Sequence, residues 1–452
     1  MKEFTSIILA AGMGTRMKSQ LPKVLHKVCG KELVSWVIDS SKKAGAKKVV
    51  AVIGHKADTV KELLGNKCEY ALQAEQKGTG HALMQASSFI DDGYIMVLTG
   101  DAPLITSETM QNAVEYHAQS GNSATVITAI LDNAAGYGRI IRDTNGNVLK
   151  IVEQKDATEE EKKINEINSG MYVFNGKDLL NALDKLSPNN AQGEYYLTDT
   201  LEILLSDGKK IGGYAISDND EIRGINDRIQ LAEAEKIMQE RIIKNHMKNG
   251  VTFVLPETTI IEDDVEIGND TIIYPNVYIK SGSKIGCNCS IGSGTQITAS
   301  SIADNVTIQC SVLLECSVDE GTAVGPFAYL RPNTHVGKKA RIGDFVELKN
   351  SNIGDGTKVS HLTYVGDSDV GERVNFGCGT VTVNYDGKKK YRTTIGDDCF
   401  IGCNTNLVAP VTVEKGGYTA AGSTITDTVP ENNLAIARAR QVNKENWKDR
   451  RK

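Results

Sequence analysis

At 452 residues the chain is too long for one hydrophobic core, so two domains or more are expected. A formal net charge of -6 argues against nucleic acid as a bulk partner, while leaving room for local basic pockets that hold phosphates. Nine cysteines without a C-x-x-C pair, a polar start from Met1 to Ser6 and an apolar run Ile7–Ala11 too short for a signal peptide or membrane span point to a reduced, cytoplasmic protein with no membrane insertion.

Residues 1–226 alternate short apolar runs with helical patterns. Ile7–Leu9, Val49–Ile53, Tyr94–Leu98, Ala124–Ile130 and Met171–Phe174 read as strands, and Leu33–Ala44 and Thr106–Gln119 as helices. This alternation implies a Rossmann-like α/β domain with a mostly parallel sheet, which binds ligands at the carboxyl ends of its strands. Just after the first strand, Leu9-Ala10-Ala11-Gly12-Met13-Gly14-Thr15-Arg16-Met17 forms a Gly-rich loop whose N–H groups suit a nucleotide phosphate. It lacks the third glycine of the dinucleotide fingerprint, and no G-K-[ST] follows, so it is not a P-loop. Leu21-Pro22-Lys23-Val24-Leu25 comes next, then Gln73, Gln76-Lys77-Gly78-Thr79-Gly80-His81-Ala82, Thr99-Gly100-Asp101-Ala102-Pro103-Leu104, Gly136-Tyr137-Gly138-Arg139-Ile140, Val152-Glu153-Gln154, Ile167-Asn168-Ser169-Gly170 and Gly224-Ile225-Asn226-Asp227-Arg228. Together these resemble the sugar-nucleotide pyrophosphorylases across the whole N-terminal half.

Asn226 opens a long helix expected to link two domains over residues 227–250, with Ile229, Ala232, Ile237 and Ile243 broadly along one face and Asn249-Gly250 as its stop. From Ile261 an aliphatic residue recurs every six positions, through Ile267, Ile273, Ile279, Ile285, Ile291 and Ile297. The register slips and resumes at Ile302 and Ile308, then runs from Val318 to Leu348, from Ile353 to Phe376, and from Ile395 to Val413. A period of six fits neither an amphipathic helix nor an alternating strand. It fits a triangular coil with one short strand and one turn per side, the aliphatic residue inward and a glycine such as Gly286 or Gly343 turning the corner. Residues 251–452 are therefore a domain of stacked parallel strands ending in a C-terminal tail whose basic end, Trp447 to Lys452, reads as a solvated face. The pattern resembles the hexapeptide-repeat, left-handed parallel β-helix of acyltransferases; the hand follows from the resemblance alone.

A pyrophosphorylase half joined to a long hexapeptide half resembles the bacterial bifunctional N-acetylglucosamine-1-phosphate uridyltransferase/glucosamine-1-phosphate acetyltransferase family, including the interruption of the repeat at Asn384-Tyr385-Asp386-Gly387. The resemblance implies an enzyme of UDP-N-acetylglucosamine synthesis. It would acetylate glucosamine 1-phosphate with acetyl-CoA, then transfer UMP from UTP to N-acetylglucosamine 1-phosphate, feeding peptidoglycan, lipopolysaccharide and other cell-wall polymers. The first chemistry is mostly positioning and charge neutralisation. Lys23 suits the α-phosphate as a point charge, and Arg16 the leaving phosphates. Leu9, Ala10, Ala11 and Gly12 would line the nucleotide, Gln73, Gly78 and Thr79 read uracil, and Gly138, Glu153 and Asn168 hold the sugar. Asp101 suits Mg²⁺, and the family's second ligand maps onto Asn226, which as a helix N-cap has a structural reading too.

For acetyl transfer the amine must be uncharged, and a histidine is the natural base near neutral pH. The family motif falls on Ser360-His361-Leu362-Thr363-Tyr364, which makes His361 the base, with Glu347 as the candidate to orient it. Independently of any resemblance, Arg331 and Lys349 lie one full coil apart with no slip between them, each after an inward leucine, so they should stack and clamp one phosphate. Tyr364 and Asn375 would complete the sugar-phosphate site. Cys378, Asn384, Tyr385, Cys403, Ala421 and Arg438 would contact acetyl-CoA, the two cysteines standing where the family usually has alanine or serine. The resemblance also implies a homotrimer. The competing reading is a monofunctional sugar-1-phosphate uridylyltransferase whose β-helix is structural or regulatory.

Overall fold

The computed structural model describes residues 2–144, 146–189, 193–448 and 450; of the basic end, Asp449, Arg451 and Lys452 lie outside the described residues. The chain divides into two compact units, one up to Met238 and one from Gln239 onward.

In the first unit the expected strands all form: Ala124–Ile130 has the expected bounds, and the others are lengthened to Phe4–Leu9, Ala46–Ile53, Tyr94–Thr99 and Glu166–Asn175. Glu69–Leu72 and Ile211–Ala215 extend the sheet on either side, and the hairpin Arg139–Arg142 with Val148–Val152 attaches through Glu166–Asn175. Pairing is parallel except within the hairpin and at Glu166–Asn175, which runs antiparallel to each strand it meets. Helices cover both faces, so successive strand residues enter opposite cores. Ile8 packs with Val34, Ile38 and Met110, whereas Ile7 packs with Val50, Val97 and Leu201. Thr106 caps the helix Ser107–Ser120 by accepting the Thr109 N–H at 3.1 Å.

The helix Arg228–Lys248 is capped by Asp227, not by Asn226. Asp227 Oδ1 accepts the N–H groups of Ile229 and Gln230, both at 2.9 Å. The expected apolar face does not form either, since Ile229 and Ala232 are exposed. The first half of the helix buries Ala234 and Met238, and the second half buries Gln239, Ile243 and His246. Each half belongs to a different unit, so no single apolar stripe runs its length.

Among the described residues the second unit is a parallel β-helix of three sheets with 11, 10 and 9 short strands. The inward positions register coil upon coil: Ile273 with Ile291, Ile291 with Ile308, Ile308 with Val324. The slips in the sequence are thus sides shortened by one residue. Two inward positions are threonines, Thr382 and Thr419, which is why the aliphatic period lapses there. Both are satisfied: Thr382 Oγ1 accepts the Gly366 N–H at 2.7 Å, and Thr419 Oγ1 accepts that of Gly402 at 2.9 Å. The single long excursion spans 384–392, so that Val370 registers with Ile395.

Gly325 turns its corner with a positive φ of 100°, as expected, but glycines such as Gly343 have a different cause. Gly343 needs no left-handed backbone; a Cβ there would lie 2.0 Å from the carbonyl oxygen of Ser360 in the next coil. Close stacking of coils excludes a side chain. The left-handed turns fall three residues past an inward position, on glycines such as Gly282 and Gly356 and on residues such as Asn305, Asn333 and Phe345.

A β-helix leaves unpaired backbone at its first coil. Here Gln239 covers it. Its Nε2 donates to the Ile261 carbonyl and its Oε1 accepts the Ile261 N–H, each at 3.0 Å, inside a buried site. The side-chain amide thereby acts as a missing strand, beside buried Ile243. Gln239→Ala would strand two buried backbone groups, so a loss of roughly 2–4 kcal/mol is expected in urea unfolding of the second unit. An unchanged midpoint would mean that water takes the place of the amide.

Candidate active sites

In the first unit, the carboxyl ends of Phe4–Leu9 and Tyr94–Thr99 open onto a cleft of about 360 Å³, lined by Leu9, Ala10, Ala11, Gly12, Lys23, Gln73, Gly78, Thr79 and Asp101 among others. Among the described residues, the backbone N–H groups of Ala11, Gly12, Met13 and Gly14 have no acceptor within the protein, as an anion-binding loop requires. Gly14 has φ +61°, and a Cβ on it would lie 2.5 Å from the Lys23 Cβ. Only glycine lets the loop close on Lys23. Lys23 Nζ contacts the Asp101 carboxylate and donates to Asn226 Oδ1 at 3.1 Å. Ile225 N–H donates to the Asp101 carbonyl at 2.9 Å and keeps the 224–226 turn beside Asp101. Two oxygen donors from distant parts of the chain therefore converge on one cation, a donor set that suits a hard divalent ion.

Gln73 is buried, and its Nε2 donates to the Gly78 carbonyl at 3.1 Å. Thr79 Oγ1 accepts the Leu197 N–H at 3.1 Å. Gly138, Glu153 and Asn168 form a separate group: Asn168 N–H donates to the Gly138 carbonyl at 2.9 Å, and Gly138 borders the Glu153 carboxylate. Although Glu153 is exposed as a residue, loss of water around its carboxyl, then the Asp156 charge, pushes its pKa up. Tyr196, on the cleft wall, lies within electrostatic reach of Glu153. Arg16 stands apart, exposed on the turn Thr15–Met17 and outside the cleft lining.

In the second unit, His361 Nδ1 meets Asp344 Oδ1 at 2.6 Å. Glu347, expected to orient the histidine, does not. Its Oε1 accepts from Arg331 Nη1 at 2.8 Å. The reason is register: Asp344 pairs with His361 on one sheet, whereas Glu347 pairs with Tyr364 on the next. Arg331 and Lys349 do stack, as adjacent coils pair Leu330 with Leu348. Each has a carboxylate of its own, Glu347 for Arg331 and Asp367 for Lys349 at 3.8 Å. Lys390 joins them; its pKa is lowered chiefly by Lys349, so the two ammonium groups crowd each other. Tyr364 and Asn384 belong to this group, the Asn384 amide reaching both the Tyr364 hydroxyl and Asp367.

Two residues past each inward position on His361's sheet, a column of corner residues runs along one edge. Val359 registers with Phe376, Phe376 with Ile401, and Ile401 with Thr419. This puts His361, Cys378, Cys403 and Ala421 at equivalent places in successive coils. Arg438 follows, its Cδ 3.8 Å from where a Cβ on Gly422 would stand. Cys403 is exposed and Cys378 half-buried. Asn375 sits one coil above Lys358, at the opposite end of the strand from His361. Tyr385 lies on the exposed excursion, its hydroxyl donating to the Gly387 carbonyl at 2.7 Å.

The nucleotidyl transferase family model matches residues 5–221. "Bifunctional protein GlmU" of Acetivibrio thermocellus is 57% identical over 444 residues, 98% of this chain and 96% of that protein. The proteins of the same name from Clostridioides difficile and Clostridium acetobutylicum are 55% and 56% identical over 449 residues, 99% of this chain and 98% of each relative. The chain belongs to the bifunctional GlmU family. The nucleotidyl transferase match ends well before the β-helix, so the two clusters fall on separate parts of a GlmU chain.

Sequence reasoning missed Glu194 and Tyr196, which line the cleft, along with Asp344, Asp367 and Lys390. Asp344 was within reach of it: the shortened side between Ile342 and Val359 shifts the partner of His361 to position 344. Glu194 and Tyr196 carried no periodic signal. Gly14→Ala is expected to lower nucleotidyl transfer at least tenfold by pushing Lys23 off Asp101 and by the ~1–2 kcal/mol cost of a left-handed alanine. Wild-type pyrophosphate release by this variant would show that the loop has room to adjust.

Proposed function

We propose that the chain makes UDP-N-acetylglucosamine in two steps on two sites: acetylation of glucosamine 1-phosphate by acetyl-CoA in the second unit, then uridylyl transfer from UTP to N-acetylglucosamine 1-phosphate in the first. The observation that carries this reading is that each separately folded unit holds its own convergent polar cluster, Lys23–Asp101–Asn226 in one and His361–Asp344 beside Arg331–Lys349 in the other.

In the uridylyl site the sugar 1-phosphate oxygen forms a bond to the α-phosphorus of UTP, and the α–β bridging bond breaks to release pyrophosphate. Lys23 draws charge from the α-phosphate as it becomes crowded, and the open N–H groups of Ala11–Gly14 hold phosphate oxygens. Asp101 and Asn226 would hold Mg²⁺, which supplies neutralisation of phosphate charge when bound. Arg16 lies on the same loop and would close on the leaving phosphates. Gln73, Gly78 and Thr79 take the uracil, and Gly138, Glu153 and Asn168 take the sugar.

In the acetyl site, Arg331, Lys349 and Lys390 hold the sugar phosphate, with Glu347 and Asp367 keeping these cations in place before it arrives. The uncharged amine nitrogen bonds to the thioester carbonyl carbon while His361 Nε2 takes the proton this nitrogen loses; the C–S bond breaks, and His361 returns that proton to the departing thiolate of coenzyme A. Cys378, Cys403, Ala421 and Arg438 line the edge along which the coenzyme extends, with Asn384 and Tyr385 nearby on the excursion and Asn375 completing the sugar site from across the strand.

No helix among the described residues is long and apolar enough to cross a membrane, and we read the enzyme as cytoplasmic. We also read it as a homotrimer. Exposed Phe327 and Phe345 stack at 5.4 Å on the β-helix edge beside exposed Leu362, a patch suited to burial against another copy.

The two activities should separate. In an assay supplying glucosamine 1-phosphate, acetyl-CoA, UTP and Mg²⁺, Lys23→Ala should abolish pyrophosphate release and spare thiol release. His361→Asn should cut thiol release by ~10²–10⁴-fold and spare uridylyl transfer from supplied N-acetylglucosamine 1-phosphate. Loss of both activities in either variant, with the circular dichroism of the native fold, would refute the two-site assignment. Light scattering should return three times the 48.9 kDa of one chain; a monomeric mass would exclude the trimer.

A further inference from the structure

We infer that Asp344 is the positioning residue of the acetyl site, holding His361 in the one tautomer and ring orientation that leaves Nε2 free as the base. The inference rests on the reading of His361 as base.

The geometry has three parts. The ring nitrogen facing Asp344 is Nδ1, at 2.6 Å from Oδ1, a short contact typical of a charge-assisted hydrogen bond. A carboxylate only accepts, so Nδ1 carries the hydrogen and the lone pair lies on Nε2. Among the described residues Nε2 has no partner, and half the side chain is open to solvent, so this nitrogen is available to an incoming amine.

The carboxylate is itself held in place. Asp344 and His361 are register partners in adjacent coils, and Leu362 N–H donates to the Asp344 carbonyl at 3.0 Å. Gly343 before it packs directly on Ser360, so the two backbones are locked together on either side of the pair. Thr363 Oγ1 donates to the His361 carbonyl at 2.7 Å and fixes the following turn. The Asp344 carboxyl stays below its ordinary range, first through the His361 hydrogen bond and then through its own backbone N–H, so it is ionised near neutral pH.

Among the described residues no other carboxylate takes this role. Glu347 is engaged by Arg331, and Asp367 by Lys349 and the amides of Asn350 and Asn384. Both belong to the phosphate-holding group. The charges of the acetyl site are thereby divided: one carboxylate serves the base, and two serve the cations.

The full-length protein with Asp344→Ala should lose about tenfold or more in kcat for acetyl transfer, with KM for glucosamine 1-phosphate and acetyl-CoA unchanged, because Arg331 and Lys349 still hold the phosphate. Asp344→Asn retains an acceptor oxygen at the same place and should recover part of that kcat. Uridylyl transfer and the thermal midpoint should stay at wild-type values in both. Wild-type kcat in Asp344→Ala, or a loss that appears in KM alone, would overturn the positioning role. A parallel His361→Asn variant separates the two ideas: if it keeps acetyl transfer, the base assignment fails first; if it loses acetyl transfer while Asp344→Ala does not, only the positioning role fails.

Discussion

The second half of this protein depends on the stacking of one coil on the next at strand spacing, about 4.8 Å. That spacing excludes a Cβ at Gly343 and sets every residue of a side opposite its counterpart one coil away. It also converts sequence distance into contact. Asp344 meets His361, and Arg331 lies beside Lys349, because each pair occupies one place in successive coils. The same rule aligns Cys378, Cys403 and Ala421 along the edge that carries His361. The His361–Asp344 pair and a line of corner residues beside it follow from one repeated dimension.

The first half solves a different problem. Its reactive groups come from sequence positions far apart, and the sheet brings them together by ending several parallel strands at one edge. Lys23, Asp101 and Asn226 converge there, with the unpaired N–H groups of the Gly-rich loop on the other side. In the absence of phosphates, Lys23 and Asp101 neutralise each other. The charges of the cluster are matched internally. The β-helix cluster uses the same device, with Glu347 paired to Arg331 and Asp367 to Lys349.

The helix Arg228–Lys248 shows what one element must do when it belongs to two units. Asp227 caps it, which leaves the Asn226 side chain directed at Lys23. Farther along, Gln239 completes the first coil of the β-helix with two hydrogen bonds. A polar residue in a buried position serves here as backbone.

Much of the architecture was legible in the sequence, since it rests on short-range periodicity. The hexad repeat specified stacked coils because only a residue pointing inward at every side keeps an aliphatic period of six. The alternation of apolar runs and helical patterns specified a sheet covered on both faces. Lys23, Asp101 and His361 stood out through local motifs. What the sequence left open depended on contacts between separated segments. Tertiary structure decided that Asp344, and not Glu347, faces His361, because the two carboxylates stand on different sides of the coil: Asp344 shares a sheet with His361, and Glu347 shares the next one with Tyr364. It decided that Asp227 caps the helix, since which of two neighbouring side chains turns back depends on what the other must reach. It also brought Lys390 to Lys349 through the excursion, where no period exists to predict a neighbour.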